Sequence, residues 1–333
     1  MGKYKVFRSG MYADNKQFEV GETYTEDFDF YCDTNLDYKN NALDMVIHAD
    51  FFDYRTYEPN EFASVTPVSG VVDFTTEDDI TGKFAAHSLK IDKKVDFEDI
   101  AKEASAALKK ECFEKRKVIS ERMTHTENSD FGARLMINGD CSTLVDSACE
   151  SKIVSDDENF TYAGAGTSAT VICNEKYAEL SSSGESNTFI LFGEGSRVAA
   201  GGGFAKIACY NKFAMAAANG GGDEIICKGD DSALMTGAST SHILSEGDRT
   251  VSVSLGVNSS IESRGYGDVV VNISENGVAK GKKGTFITLA EYKPGENAGE
   301  KIPVCVRTEQ VDGSRIKEDT WYTLIHGKFV EVK

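Results

Sequence analysis

Sixteen consecutive nine-residue units run through the middle of the chain without an insertion, from Gly139 to Lys282. Cutting at that interval gives GDCSTLVDS, ACESKIVSD, DENFTYAGA and GTSATVICN, and continues in phase to SENGVAKGK. Ten units open on glycine, at 139, 166, 184, 193, 202, 220, 229, 247, 256 and 265. The fourth position is mostly small, as at Ser142, Ala169, Ser196 and Ala214. The sixth is apolar from Leu144 to Ala279 with one exception, Ser252, which is flanked by Val251 and Val253. A period this strict decides the architecture before any motif does, because each unit can bury its apolar position only against its neighbours.

Alternate units differ in bulk. VIC (171–173), FIL (189–191), IAC (207–209), IIC (225–227) and HIL (242–244) are aliphatic, whereas YAG, LSS, VAA, AAA and LMT between them are lean. The true period is therefore 18, and the fold class expected is mainly β, with a central β-solenoid of two short strands per coil. Glycines supply the positive φ of its corners. Strands of successive coils pair in parallel, and eight coils rise roughly 40 Å at the usual inter-strand spacing. A three-sided 27-residue coil, or an intertwined trimer, fits the nine-residue unit as well. In the 18-residue reading Cys173, Leu191, Cys209 and Cys227 stack on one interior face, where a thiol serves as a small hydrophobe.

The expected domains are an N-terminal α+β module over 1–130, solenoid repeats over 131–282, and a C-terminal β-meander cap over 283–333. In the first, KYKVFRS, KQFEVGETYTEDFDFY, FASVTPVSGVVDF and GKFAAHSLKI read as strands. NALDMVIHADFFDYR (41–55) reads as a helix with Leu43, Val46, Ile47 and Phe51 on one side. A second helix is expected near 96–116, with Asp96 as N-cap, an inward stripe of Ile100, Ala104, Ala107, Leu108 and Cys112, and a basic last turn. In the cap, TFITLAEY, KIPVCVRTEQV, TWYTLI and KFVEVK read as strands, and Trp321 anchors them to the last coil.

Several chemistries are tested by this frame and fail. GAGTSA (164–169) and GEGSRVAAGGG (193–203) resemble phosphate loops, yet their glycines fall on the nine-residue period and no amphipathic helix follows. Calcium-binding nonapeptides need aspartate at the sixth position, which is aliphatic here. The histidines, 48, 87, 125, 242 and 326, are scattered. Asp223, Glu224, Asp230 and Asp231 form the one acidic cluster that a polymer-cleaving site could use, and a solvated turn accounts for it. No catalytic residue, cofactor or metal ligand is assigned.

The formal net charge of −18 divides as −9, −9 and 0 between 1–138, 139–282 and 283–333. An acidic body repels nucleic-acid phosphate, so direct DNA or RNA binding is not expected, and a basic protein partner is. No run of about 18 apolar residues predicts a membrane span, and the start lacks a signal-peptide core. Eight widely spaced cysteines without a CxxC read as reduced thiols in a cytoplasm.

FEVGETYTEDFDFYC, KIDKKVDFEDIAKEA and ITLAEY…VDGSRIKEDTWYTLIHGKFVEV resemble an uncharacterised family of phage, prophage and gut-bacterial proteins. Those proteins place short Gly/Ser/Ala repeats between an N-terminal module and a DTWYTL-type terminal domain. They carry a Gly-Phe-His segment where this chain has CDTNLDYKNNALD, so no shared N-terminal catalytic site is inferred. The resemblance implies an origin in mobile elements.

The function expected is a non-enzymatic, phage-encoded protein-binding scaffold in the host cytoplasm, in its sharpest form an inhibitor of a host immune effector. Tyr177, Phe192, Arg197, Phe204, Tyr210, Lys212 and Phe213 are the candidate partner surface. The other classes are a virion or adhesin rod, as a dimer or trimer contacting a receptor or glycan, and an enzyme acting through His48 or Arg55 of the N-terminal module.

Overall fold

A computed structural model describes residues 2–13, 15–26, 36–53, 55–74, 83–297 and 299–332. The chain divides into two compact units, Met1–Lys115 and Arg116–Lys333. Cys32 and part of the strand expected before it lie outside the described residues.

In the N-terminal unit, strands Tyr4–Phe7, Thr23–Thr25, Asp37–Lys39, Glu61–Asp73 and Lys83–Val95 form an antiparallel sheet, and the two long strands also pair with each other. Phe7, Met11, Phe18, Leu36, Tyr38, Val65, Leu89 and Ile91 fill its core. Helix α1 (Ala42–His48) begins where the Asn41 side chain accepts a hydrogen bond from the Asp44 amide. It is shorter than the sequence predicts. Ala49 turns extended, so Phe51 is buried from beyond the helix rather than on its face. Helix α2 (Phe97–Glu114) begins at Asp96, as expected, and buries Ile100, Ala104, Leu108 and Cys112, leaving Ala107 at the margin. Its last turn holds no basic residue; Lys115 and Arg116 follow the end instead.

The second unit is a two-sheet parallel β-solenoid with 18 residues per coil. Strands pair in register with the strand 18 residues on, as in Val171↔Phe189, Ile207↔Ile225 and Val198↔Ala216, and only the last lean-sheet step, Val269↔Phe286, is 17 residues. Ten parallel strands from Val118–Ile119 to Val278–Lys280 form the bulky sheet, and ten from His125–Asn128 to Phe286–Pro294 form the lean sheet. Two strands per coil exclude the 27-residue alternative. The boundaries expected at 131 and 282 move outward. The coil register already holds for Thr143↔His125, and Phe286–Pro294 still pairs in parallel with Val269–Asn272. Sequences 121–138 carry the corner geometry with fewer glycines, which hid them.

The sixth position is buried in every unit, Ser252 included. The thiol ladder is present, with Cys173↔Leu191, Leu191↔Cys209 and Cys209↔Cys227 as partners on adjacent rungs. Burial pushes the Cys173 thiol above its ordinary range, so it stays protonated and packs as a hydrophobe.

The corners correct the expected role of glycine. Positive φ falls at the third position of the unit, not the first, and in all sixteen units from Cys141 (59°) to Asn276 (56°). Only Gly195, Gly222 and Gly267 are glycine there; Tyr177, Phe204, Phe213 and even β-branched Thr240 hold the strained conformation. From Cys141 to Asn258 each of these amides donates to the next coil, as Tyr177 does to Glu194 O and Phe213 to Asp230 O, both at 3.0 Å. First-position glycine is required by close approach instead. A Cβ at Gly193 would strike the Glu175 carbonyl, and one at Gly229 the Asn211 carbonyl, each one coil back.

The fourth position completes the corner. The Ala169 amide donates to Asn187 Oδ1 (2.7 Å), Ala178 to Ser196 Oγ (3.2 Å), Ala205 to Asp223 Oδ1 (2.9 Å) and Ala214 to Ser232 Oγ (3.1 Å). Small residues predominate there because one coil's amide needs room for the next coil's acceptor.

The cap is not one meander. Lys301–Gln310 pairs antiparallel with Phe286–Pro294 at the end of the lean sheet. Tyr322–Ile325 and Lys328–Glu331 form a separate hairpin on the end of the bulky sheet, where Tyr322 pairs with Ala279. Trp321 meets the last coil through Lys280, whose Nζ lies 4.6 Å from the ring centroid.

The triplet Gly220-Gly221-Gly222 separates these effects. Gly220→Ala drives a Cβ into backbone and should cost about 3 kcal/mol or more. Gly222→Ala holds alanine at φ 75° and also sets its Cβ 2.8 Å from the exposed Phe204 ring, which must swing aside, and should cost about 1–2 kcal/mol. Gly221→Ala meets nothing closer than 3.7 Å, so it should stay within about 0.5 kcal/mol of wild type. Equilibrium urea unfolding checks the ranking.

Candidate interaction surface

Each lean strand turns its second and fourth residues inward and its first and third outward. Buried and exposed residues therefore alternate, as in Arg197–Ala200 and Ala233–Thr236. Stacking in register converts this into two outward columns. One holds Thr161, Glu179, Arg197, Met215, Ala233, Val251 and Val269; the other holds Ala163, Ser181, Ala199, Ala217, Met235, Val253 and Val271. The columns carry two charges, Glu179 and Arg197, which face each other at 3.6 Å. Met215, Met235 and Val251 are 42–49% exposed. Small side chains at Ser181, Ala199 and Ala217 lower the floor between them and leave a groove of about 650 Å³.

The seven residues selected from sequence fall on three different surfaces. Tyr177, Phe192, Tyr210, Lys212 and Phe213 share the edge that runs from the bulky to the lean sheet. Phe204 stands on the opposite edge, and Arg197 on the lean face. On the shared edge Phe192 is buried and stacks on Tyr210 with ring centroids 5.2 Å apart and planes 18° apart. Lys228 sits 5.7 Å from the Tyr210 centroid; Glu246 lies 3.9 Å from Lys228 and 3.0 Å from Arg264. Those residues, each 18 apart, form a ladder that braces the edge. Tyr177, Phe204 and Phe213 are 49–63% exposed at left-handed corners. Tyr177 leans over Gly195, and Phe204 over Gly222. Lys212 is paired with Asp230 at 3.1 Å.

The acidic cluster is dispersed rather than gathered. Asp223 is buried on the Phe204 edge, accepting from the Ala205 and Gly220 amides, and burial raises its pKa to about 6. Asp231 is on the other edge, held in a two-pronged grip by Arg249 at 2.7 and 2.8 Å. Two carboxylates on opposite edges cannot share one glycosidic or phosphodiester bond. Among the described residues, no three His, Cys, Asp or Glu side chains converge to hold a cation. No helix among the described residues is long and apolar enough to cross a membrane. In the N-terminal unit a cavity of about 340 Å³ is lined by Arg8, Asp50, Asp53, Arg55 and Asn60 among others. The Asp53 carboxylate there accepts from the Arg55 amide and the Thr56 hydroxyl.

His242 is a buried titratable group of the bulky sheet, with Nδ1 2.7 Å from Ser260 Oγ. Burial lowers its pKa from 6.5 to about 4. Protonation therefore favours the unfolded chain: stability is full above pH 6.5 and falls as pH drops towards 4. The loss attributable to this group is about 3 kcal/mol at the low end. His242→Gln should flatten the unfolding free energy over that window, measured by urea titration at pH 7, 5.5 and 4.5.

Comparison with protein-family models, with curated proteins and with solved structures finds no match to this chain.

Proposed function

We propose that the chain is a non-enzymatic protein-binding scaffold whose contact surface is the outward face of the lean sheet. One observation carries this reading: four successive coils, with Met215, Ala217, Ala233, Met235, Val251, Val253, Val269 and Val271, turn only apolar side chains outward, on a chain whose net charge is −18. An exposed contiguous apolar patch of this kind marks an interaction site. Exposed Glu158 and Glu175 along one edge and Glu185 along the other stand beside the first coils of the lean face, while beside the later coils Lys212, Arg249 and Arg264 are paired with Asp230, Asp231 and Glu246. The partner that fits is apolar at its centre and basic where it meets the first coils. Rigid stacked coils keep the ordering cost of binding low.

The resemblance to phage and prophage proteins directs the search for that partner. A basic, nucleic-acid-handling immune effector of the host matches both the origin and the charge, and makes the protein an inhibitor acting in the host cytoplasm.

The test is a paired capture from host lysate with wild type and Met215→Lys/Met235→Lys. Both positions are exposed, so the double variant should unfold like wild type. A protein retained by wild type and lost by the variant is expected, with retention weakening as salt rises. Equal retention by both, or none by either, overturns the reading.

A further inference from the structure

Two exposed aromatic corners stand in one column. Tyr177 and Phe213 hold the same corner position two coils apart, both at φ 60°, and each is about half exposed. Gly195 lies between them and contributes no side chain. The Tyr177 ring rests on the bare corner it leaves, 2.8 Å from where a Cβ would stand. At the usual inter-strand spacing, two coils set these corners about 9.6 Å apart.

We propose that this column docks a proline-rich segment of a protein partner in the polyproline II conformation, with prolines three residues apart on Tyr177 and Phe213 and a basic residue at the Tyr177 end.

The spacing selects the conformation. A polyproline II helix rises about 3.1 Å per residue with three residues per turn, so one face repeats every 9.3 Å or so. An extended strand repeats a face at about 6.6 Å and again at about 13 Å. An α-helix returns after about 5.4 Å, and its seventh residue after about 10.5 Å. Only the first comes within about 0.3 Å of the column.

The surroundings supply what such a segment needs. Polyproline II has no internal hydrogen bonds, so its carbonyls take donors from outside. Tyr177 and Lys176 are exposed, and neither the hydroxyl nor the ammonium has a partner among the described residues. Charge sets the polarity. Exposed Glu158 and Glu175 are without an ion pair at the Tyr177 end. At the Phe213 end Lys212 and Arg249 are matched to Asp230 and Asp231. A lysine or arginine flanking the prolines therefore meets opposite charge beside Tyr177. The segment arrives already extended and the coils are rigid, so little ordering opposes binding.

This site borders the lean face and does not depend on it. The test is fluorescence anisotropy with the labelled decamer KKPPAPPAPP, against KKGSGGSGGS as control. The proline decamer should bind and the control should not, with binding weakening as salt rises. Tyr177→Asn and Phe213→Asn keep residues that accept left-handed backbone, so each should fold as wild type by circular dichroism. Each should weaken binding by about tenfold or more. Phe204→Asn removes a similar ring from the opposite edge, where no second ring shares its column, and should change nothing. Equal binding of the two decamers, or none, overturns the proposal. So does binding indifferent to Tyr177→Asn and Phe213→Asn, or equally lost in Phe204→Asn. Calorimetric titration with cellohexaose supplies the remaining outcome: a glycan held by the two rings more tightly than the decamer overturns it as well. Met235→Lys should bind the decamer as wild type does, so failure here and failure of lean-face capture are read separately.

Discussion

The solenoid depends on one backbone constraint at its corners. Strands of successive coils stack about 4.8 Å apart, so the corners between them must stack at the same spacing. The chain meets this by turning left-handed at the third position of every nine-residue unit. That turn aims the amide at the next coil's carbonyl, as in Gly195 to Lys212 O at 3.0 Å. Where the unit opens on glycine, it also brings the first position so close to the preceding coil that a Cβ there would strike backbone. Left-handed backbone costs roughly 1–2 kcal/mol at a non-glycine residue, a cost that the inter-coil hydrogen bond and stacking offset. The fourth-position acceptors follow from the same geometry, since the amide after the turn points along the axis and needs a partner.

This explains what was legible in the sequence and what was not. The sixth-position apolar residues and the bulky–lean alternation specify two sheets and an 18-residue coil, because both are packing demands that repeat from coil to coil, with Ser252 the one polar sixth position. The glycine column is equally visible, but its cause is not: composition shows that a Cβ is excluded and cannot say whether φ or proximity excludes it. Corners at Met123 and Gly132 have the same left-handed turn without a first-position glycine, so the repeat pattern begins later than the coils do. The C-terminal strands were visible as strands. Their division between two sheets depends on which solenoid edge each one reaches, and local sequence does not record that.

The sequence draws attention to aromatic corners; the structure adds continuous apolar columns on the lean strands. The signal for those columns was present in the one anomaly of the repeat. VSVSL puts Ser252 inward, buried among aliphatics, and Val251 and Val253 outward. A strand that keeps its serine inside and its valines in solvent inverts the usual economy of burial. The unit MAAA weakens its outward polarity in the same way, with Met215 and Ala217 outside. Read as an exception to a core pattern, Ser252 is noise. Read as one strand of an apolar outer face, it marks where that face lies.

Rigidity and charge complete the picture. The Phe192–Tyr210–Lys228–Glu246–Arg264 ladder ties five coils along one edge through a ring stack, a cation–π contact and two ion pairs. Each link is modest and solvent-screened, but they act on coils already fixed by in-register strands. The ladder thereby braces one edge of the lean sheet. The sheet's apolar columns expose hydrophobic surface, and a net charge of −18 opposes indiscriminate association through the mutual repulsion of copies.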